Sequence, residues 1–316
     1  MAPLPTSGPG WDWVKAAADT NFYPPDVSNQ DSNDNVFCLA AGIVYARTGI
    51  QSYKDNVVAA CEYLASHGKP GADTLAWARE TGAYAMAADL VGYRTSAFET
   101  WLRNMAEVYV ATDGRTMRGM FEARPNNWGT HGFGSLGAIY RYLNDTTELT
   151  EIRDYWIQLV VGPKPSPASY GSDISWHVDE NNLRQINPQG SVKQGMNIDG
   201  VLPDDLRRGS SFKEPPTMTG YCWEALQGIV MAARVLDRAG MSIWNVDDQA
   251  IYRAAYCLQV RFATDYDPAW AATGDDLWML PFLDKIYGTS WATGDPESRE
   301  WDHGKNTGWA YVTLGE

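Results

Sequence analysis

Histidine and cysteine are scarce in this chain of 316 residues, which contains four of each. Cys38, Cys61, Cys222 and Cys257 form no C-x-x-C pair, so zinc-site spacing is absent. Each lies in an apolar, helix-like stretch, where a free buried thiol is the expected state. There is no His-x-x-x-His pair and no calcium-loop pattern, so neither a metal nor any other cofactor is expected. No apolar run reaches about 18 residues, which argues against a transmembrane helix. Positive charge is in deficit: 25 Lys+Arg against 39 Asp+Glu leave a net charge of −14. Nucleic acid and anionic membranes are therefore poor partners, since both require a basic surface. A polyanion gripped in one local groove stays compatible, because a few arginines focused in a cleft act against the overall field. No strict repeat is present, which excludes a solenoid of the tetratricopeptide kind. The first residues, Met1 to Trp13, lack the basic-then-apolar pattern of a signal peptide. A cleaved mature chain with an added Met has the same appearance, and a secreted or periplasmic location is expected. Phenylalanine is also low, at 8 against 14 Trp and 17 Tyr. Trp and Tyr combine an apolar face with a polar handle, a pairing suited to stacking on sugar rings.

What is plentiful is helical periodicity. A helix opens near Cys38 and stops near Gly49. Residues 53–66 place Val57, Val58, Cys61 and Leu64 on one face, with Gly68 and Pro70 as stop signals. Further helical stretches are predicted over 74–91, 97–111, 132–143, 147–160, 221–239, 247–264 and 276–287, several closed by Gly162, Gly240 or Gly288. Strand signals are few and short. Successive helices joined by Gly-rich turns fit hairpins packed side by side, an all-α architecture. The segment 162–220 breaks the pattern, being rich in Gly, Pro, Ser and Asn. Trp176, His177, Ile186 and Leu202 interrupt its polar run, so it reads as a folded functional excursion inside one domain spanning 1–316, not as a linker.

Two segments carry candidate chemistry. The first runs Arg124-Pro125-Asn126-Asn127-Trp128-Gly129-Thr130-His131-Gly132, just before the predicted helix at 132–143. Taken alone it is a turn and a helix start. The second runs Asp199-Gly200-Val201-Leu202-Pro203-Asp204-Asp205-Leu206-Arg207-Arg208-Gly209, with Tyr221 downstream at a helix start. Taken alone it is a solvated ion-pair cluster.

In this order the two segments resemble the motifs of the alginate-lyase-like polysaccharide lyases. Those enzymes carry an Asn-Asn-His-Gly-Thr-Trp type motif and a later Asp-Gly-x-x-Pro-x-Glu-x-x-Arg-Gly stretch followed by a Tyr. The resemblance implies an incomplete α/α toroid of six or seven helical hairpins. It also implies β-elimination on a uronate polymer, with no cofactor. Trp128 stands where that family has His, and the imidazole comes three residues later at His131. The step from Arg208 to Tyr221 is longer than in the alginate lyases and includes Pro215-Pro216. These departures point to a branch acting on glucuronan or mixed polyuronates.

A uronate has a weakly acidic proton at C5, next to its carboxylate. Removing that proton and expelling O4 leaves a C4–C5 double bond. Asn127 and Arg208 suit neutralisation of the carboxylate, the guanidinium being matched to a planar acceptor. Tyr221 suits the acid role and also the base role. A free phenol titrates near about 10, and an adjacent Arg favours the phenolate. His131 suits the base role, with His177 as a second candidate, because imidazole titrates near neutrality. Asn126, Trp128, Trp176, Arg207, Trp223 and Lys305 complete the expected substrate-binding set. The expected partner is thus an acidic polysaccharide, bound by a monomer. A toroidal glycoside hydrolase would instead need a carboxylate pair, for which Asp204, Asp205, Glu224, Asp275 and Asp276 are available. A sugar-binding protein without catalysis would explain the aromatics alone.

Overall fold

The computed structural model describes residues 6–71 and 74–292. It is predominantly helical, as the periodicity predicts, and toroid-like, as the family resemblance implies. In chain order the helices are α1 (Pro9–Ala18), α2 (Asp34–Thr48), α3 (Gln51–His67), α4 (Thr74–Leu90), α5 (Ser96–Glu107), α6 (Met117–Ala123), α7 (Asn127–Tyr142) and α8 (Thr146–Val161). After the excursion, which contains the short antiparallel pair β1 (Val192–Lys193) and β2 (Met196–Asn197) and α9 (Pro203–Leu206), come α10 (Tyr221–Arg238) and α11 (Val246–Tyr256). A π-helical stretch, Cys257–Phe262, leads into α12 (Ala263–Asp265), and a 3-10 stretch, Gly274–Met279, leads into α13 (Leu280–Tyr287).

Helices α2, α4, α7 and α10 form a continuous inner row, with α3, α5, α8 and α11 packed outside. The inner helices all run the same way. Before the start of α2, the Gln30 carbonyl accepts from Arg79 near the start of α4 at 2.6 Å. Midway along, the Gly82 amide of α4 donates to Ser135 of α7 at 3.1 Å. Past their ends, Arg94 donates to the Tyr142 carbonyl at 2.7 Å. Helices α7 and α10 touch backbone to backbone near their starts, where a Cβ on Gly228 would lie 2.2 Å from the Thr130 carbonyl. Only glycine permits that approach. Four helix N-termini therefore open on the same end of the molecule. Their unsatisfied N–H groups give that end a positive partial charge.

Helices α2 and α4 are buried on most of their circumference, which is why their apolar residues show little one-sided periodicity. The aromatic excess goes mainly into this interior. Trp77, Trp101, Trp156, Trp176, Trp270 and Trp278 are fully buried and Trp11, Trp223 and Trp244 nearly so, so most of the 14 tryptophans that composition assigns to a sugar cleft are core residues. The four cysteines are free and buried.

The excursion is folded, as Trp176, Ile186 and Leu202 suggest; all three are buried. Trp176 Nε1 donates to the Ser210 carbonyl at 2.7 Å. Asn187 spans the loop by donating to the carbonyls of Trp176 and Ile198 at 3.0 and 3.2 Å.

Candidate active site

The Asn-Asn motif lies inside a helix, not ahead of one. Asn126 is the N-cap of α7, its side-chain oxygen accepting from the Trp128 amide at 3.1 Å. The helix thus starts five residues before the predicted 132, because a polar first turn carries no hydrophobic period. Asn127 and His131 sit on that turn and the next, at the open end of the inner row.

The second motif, 78 residues later, is clamped onto this cap. Asp204 accepts from the Asn126 amide at 2.9 Å, from the Gly171 N–H at 2.8 Å and from Arg207 Nε at 2.5 Å. Asp205 accepts from the Asn127 backbone N–H at 2.9 Å. Both carboxyls are buried. Burial, and then the neighbouring Asp204, push the Asp205 carboxyl well above the usual carboxylate range. Arg207 and Asn126 are therefore committed to the protein's own Asp204. Their place is behind the site, where they hold it together, and the substrate contact read from the sequence is not supported by this geometry.

Arg208 points the other way. Its Nη1 donates to Asn127 Oδ1 at 2.9 Å, and its guanidinium carbon lies 3.1 Å from the centroid of the Tyr221 ring. With its carbonyl oxygen engaged by Arg208, Asn127 has its NH2 end available to an incoming acceptor. Arg208 is exposed, and Tyr221 is 38% exposed. An amide donor, a guanidinium and a phenol thus meet at the N-termini of α7 and α10.

The imidazoles are placed differently from the sequence reading. The His131 ring has no exposed surface, and its Nε2 lies 3.1 Å from Glu224 Oε2. The ring is closed off from solvent, against the base role read from the sequence. Glu224 is on α10 one turn beyond Tyr221, with 32% of its side chain exposed, so the pair presents a carboxylate to the open end and not an imidazole. His177 is also buried, edge-on to Tyr170 with ring centroids 4.8 Å apart. Trp176 and Trp223 are core residues, the latter donating to the Trp270 carbonyl at 2.8 Å, and are not open to sugar. Trp128 is half-buried and stacks with Arg124. Lys305 and His303 lie outside the described residues.

Two carboxylic acids near the site were noted in the sequence only as material for a hydrolase. Glu224 is one. The other is Asp276, which accepts from Gln227 Nε2 at 2.8 Å. Burial pushes the Asp276 carboxyl up to about 7 against the opposing Gln227 hydrogen bond. Tyr221, Glu224 and Gln227 recur every third residue of one helix, a spacing that puts them on one face and is legible in sequence. Among the described residues no cluster of His, Cys, Asp and Glu is arranged to hold a metal ion.

His177 provides a pH test. Burial lowers its pKa to about 4. Between that value and the ordinary value of about 6.5 the unfolded chain binds the extra proton, so stability rises with pH across this window. The contribution is complete above about pH 6.5 and is lost as pH falls toward about 4; it amounts to about 3 kcal/mol. In urea unfolding, wild type is expected to lose about 2–3 kcal/mol more than His177→Gln on going from about pH 7 to about pH 4. Equal losses would refute the assignment.

The inner row of parallel helices is a toroid-like framework whose open end brings Asn127, Arg208 and Tyr221 together. The alginate lyase family model matches residues 73–265, and the chain belongs to that family. No curated protein matches it. The protein is accordingly a polysaccharide lyase, and its substrate is an acidic polysaccharide.

Proposed function

We propose that the protein cleaves a polyuronate, alginate or glucuronan, by β-elimination to leave 4,5-unsaturated uronate ends. The observation that carries this reading is the meeting of Asn127, Arg208 and Tyr221. The Asn127 NH2 and the Arg208 guanidinium take the carboxylate of the uronate being cut. Negative charge spreads onto that carboxylate as C5 loses its proton. Donors already aimed at it stabilise the charge, each by about 3 kcal/mol. The N-termini of α7 and α10 add a field of the same sign.

The Tyr221 phenolic oxygen takes the C5 proton. The C5 electron pair forms the C4–C5 double bond, the C4–O4 bond breaks, and the phenol returns the proton to O4. One residue then serves both steps on one face of the sugar. The burial of His131 and His177 supports giving both steps to Tyr221. His131 acts as a positioning residue for Glu224. Secretion or a periplasmic location suits such an enzyme, because a polymer substrate lies outside the membrane.

The test is incubation with alginate and with glucuronan while following the ultraviolet absorbance of the conjugated double bond. Absorbance rising in step with new reducing ends is expected. Reducing ends without absorbance would point to a hydrolase and sink the elimination mechanism.

A further inference from the structure

Arg124 stands at the end of α6, two residues before the Asn126 cap. Its guanidinium carbon lies 4.5 Å from the centroid of the Trp128 ring. Stacking occupies a face of the guanidinium and leaves its in-plane N–H donors open. Among the described residues the Arg124 side chain makes no hydrogen bond and no ion pair. Its neighbours are committed elsewhere: Arg115 is 3.5 Å from Asp113, Arg207 is held by Asp204, and Arg208 donates to Asn127.

Arg124 is half-buried, and burial lowers its pKa, as do the like charges of Arg115 and Arg208. Asp113 and Asp204 offset this in part. In a chain with a net charge of −14, an unneutralised guanidinium beside two others is a costly arrangement unless an anion completes it. The position is also built rigidly. The Arg124 N–H donates to the Met120 carbonyl at 3.0 Å, and the preceding Ala123 carbonyl accepts from Ser169 at 2.9 Å. A Cβ on Gly129 would lie 1.8 Å from the Arg124 carbonyl oxygen, so helix α7 packs directly on this turn. A pre-ordered planar fork is what bidentate binding of a carboxylate requires.

Resting on the lyase reading above, we propose that Arg124 binds the carboxylate of the uronate adjoining the one held by Asn127 and Arg208. It thereby selects runs of contiguous uronates over chains in which uronates are interspersed with neutral sugars. Two separate carboxylates suit two separate arginines. A polyuronate carries one carboxylate on every residue, so successive residues supply both. Asn127 and Arg208 already saturate one carboxylate with donors, which leaves Arg124 for its neighbour.

The experiment compares wild type, Arg124→Gln and Arg124→Lys on a homopolymeric oligouronate and on the same material with a fraction of its carboxyls reduced to alcohols. Both kcat/KM for double-bond formation and calorimetric affinity are measured. Wild type is expected to favour the unreduced oligomer by about 10- to 100-fold. Arg124→Gln falls by that factor on the unreduced oligomer, and its preference shrinks to what the loss of cleavable uronates alone imposes. Arg124→Lys keeps the charge but not the fork and is intermediate. A Gln variant that retains the wild-type preference would overturn the proposal. So would one that loses the same factor on both substrates, which is the signature of a shared carboxylate or of a structural role. If wild type binds in a carboxylate-dependent way that Arg124→Gln abolishes, yet forms no double bond, the lyase reading fails and the Arg124 site stands. If wild-type binding does not depend on the carboxylates, the Arg124 site fails.

Discussion

Tyr221→Phe is expected to lower kcat by about 10³- to 10⁴-fold, while affinity for oligouronate changes by no more than a few-fold. The loss corresponds to about 4–5.5 kcal/mol of transition-state stabilisation. The size follows from the double use of one hydroxyl, which takes the C5 proton and returns it to O4. Without it both transfers lose the hydroxyl that carries the proton, and both nearby imidazoles are closed off from the open end. The selectivity of the effect follows from the packing. Tyr221 is 38% exposed, and its ring lies against the Arg208 guanidinium. Phe keeps that ring, so Arg208 stays over it and continues to reach Asn127, and the carboxylate site survives. Circular dichroism and the urea midpoint should match wild type. A Phe variant within tenfold of the wild-type rate would remove Tyr221 from the reaction. A variant equally weakened in binding and turnover would make it a binding residue. Asn127→Ala is the useful contrast, because it removes a donor to the developing charge and leaves the proton path in place.

Hydrophobic period located most of the helices but missed the turns where the chemistry lies. Helix α2 begins at Asp34, not Cys38, and α7 at Asn127, not Gly132. The first turn of α7 is mostly polar and carries no apolar period, while that of α2 opens on Asp34-Asn35, ahead of the apolar residues that mark the helix. The N-cap chemistry of Asn126 was the available clue. Helices α1 and α6 were missed as well; each is short and adjoins Gly- or Pro-containing turns. The convergence of Asn127 with Arg208 followed from the motif pairing, because two segments 78 residues apart signal contact only when both are recognised. Burial was the part that could not be read. His131, His177, Trp176 and Trp223 have residue types suited to a sugar site, and only the packing of α7, α10 and the excursion shows that they face inward. Arg124 opens the motif with no role legible in sequence, because nothing in the chain order shows that its guanidinium lacks an acidic partner.

Arg253→Met is expected to destabilise the fold by about 3–5 kcal/mol and to reduce activity with it. Arg253 is 7% exposed, and all five of its guanidinium N–H groups are engaged. Nε donates to the Asp248 carbonyl at 3.1 Å. Nη1 donates to the Asn187 carbonyl at 2.7 Å and to Asp199 at 2.6 Å. Nη2 donates to the Asp247 carbonyl and carboxylate at 2.9 and 2.8 Å. One side chain thus ties the excursion, through Asn187 and Asp199, to the start of α11. At that start Asp247, Asp248 and Gln249 have φ of 48°, 50° and 59°. Left-handed backbone costs non-glycine residues about 1–2 kcal/mol each, and the hydrogen bonds to the carbonyls of Asp247 and Asp248 offset part of that. Met fills much of the volume but leaves the poorly solvated Asp199 carboxylate without its ion-pair partner and Asp247 with only Arg184, at 3.6 Å, which is the main source of the loss. The connection to function runs along the excursion, because the segment pinned at Asn187 and Asp199 leads directly to Asp204, Asp205 and Arg208. Urea unfolding measures the stability. Hydrogen exchange should show amides of 187–201 losing protection before those of α4 and α7. Arg253→Lys, which retains a charge but no fork, is expected to lose about half as much. A Met variant within about 1 kcal/mol of wild type would mean that the excursion is held by its own buried residues, Trp176, Ile186 and Leu202, and not by this guanidinium.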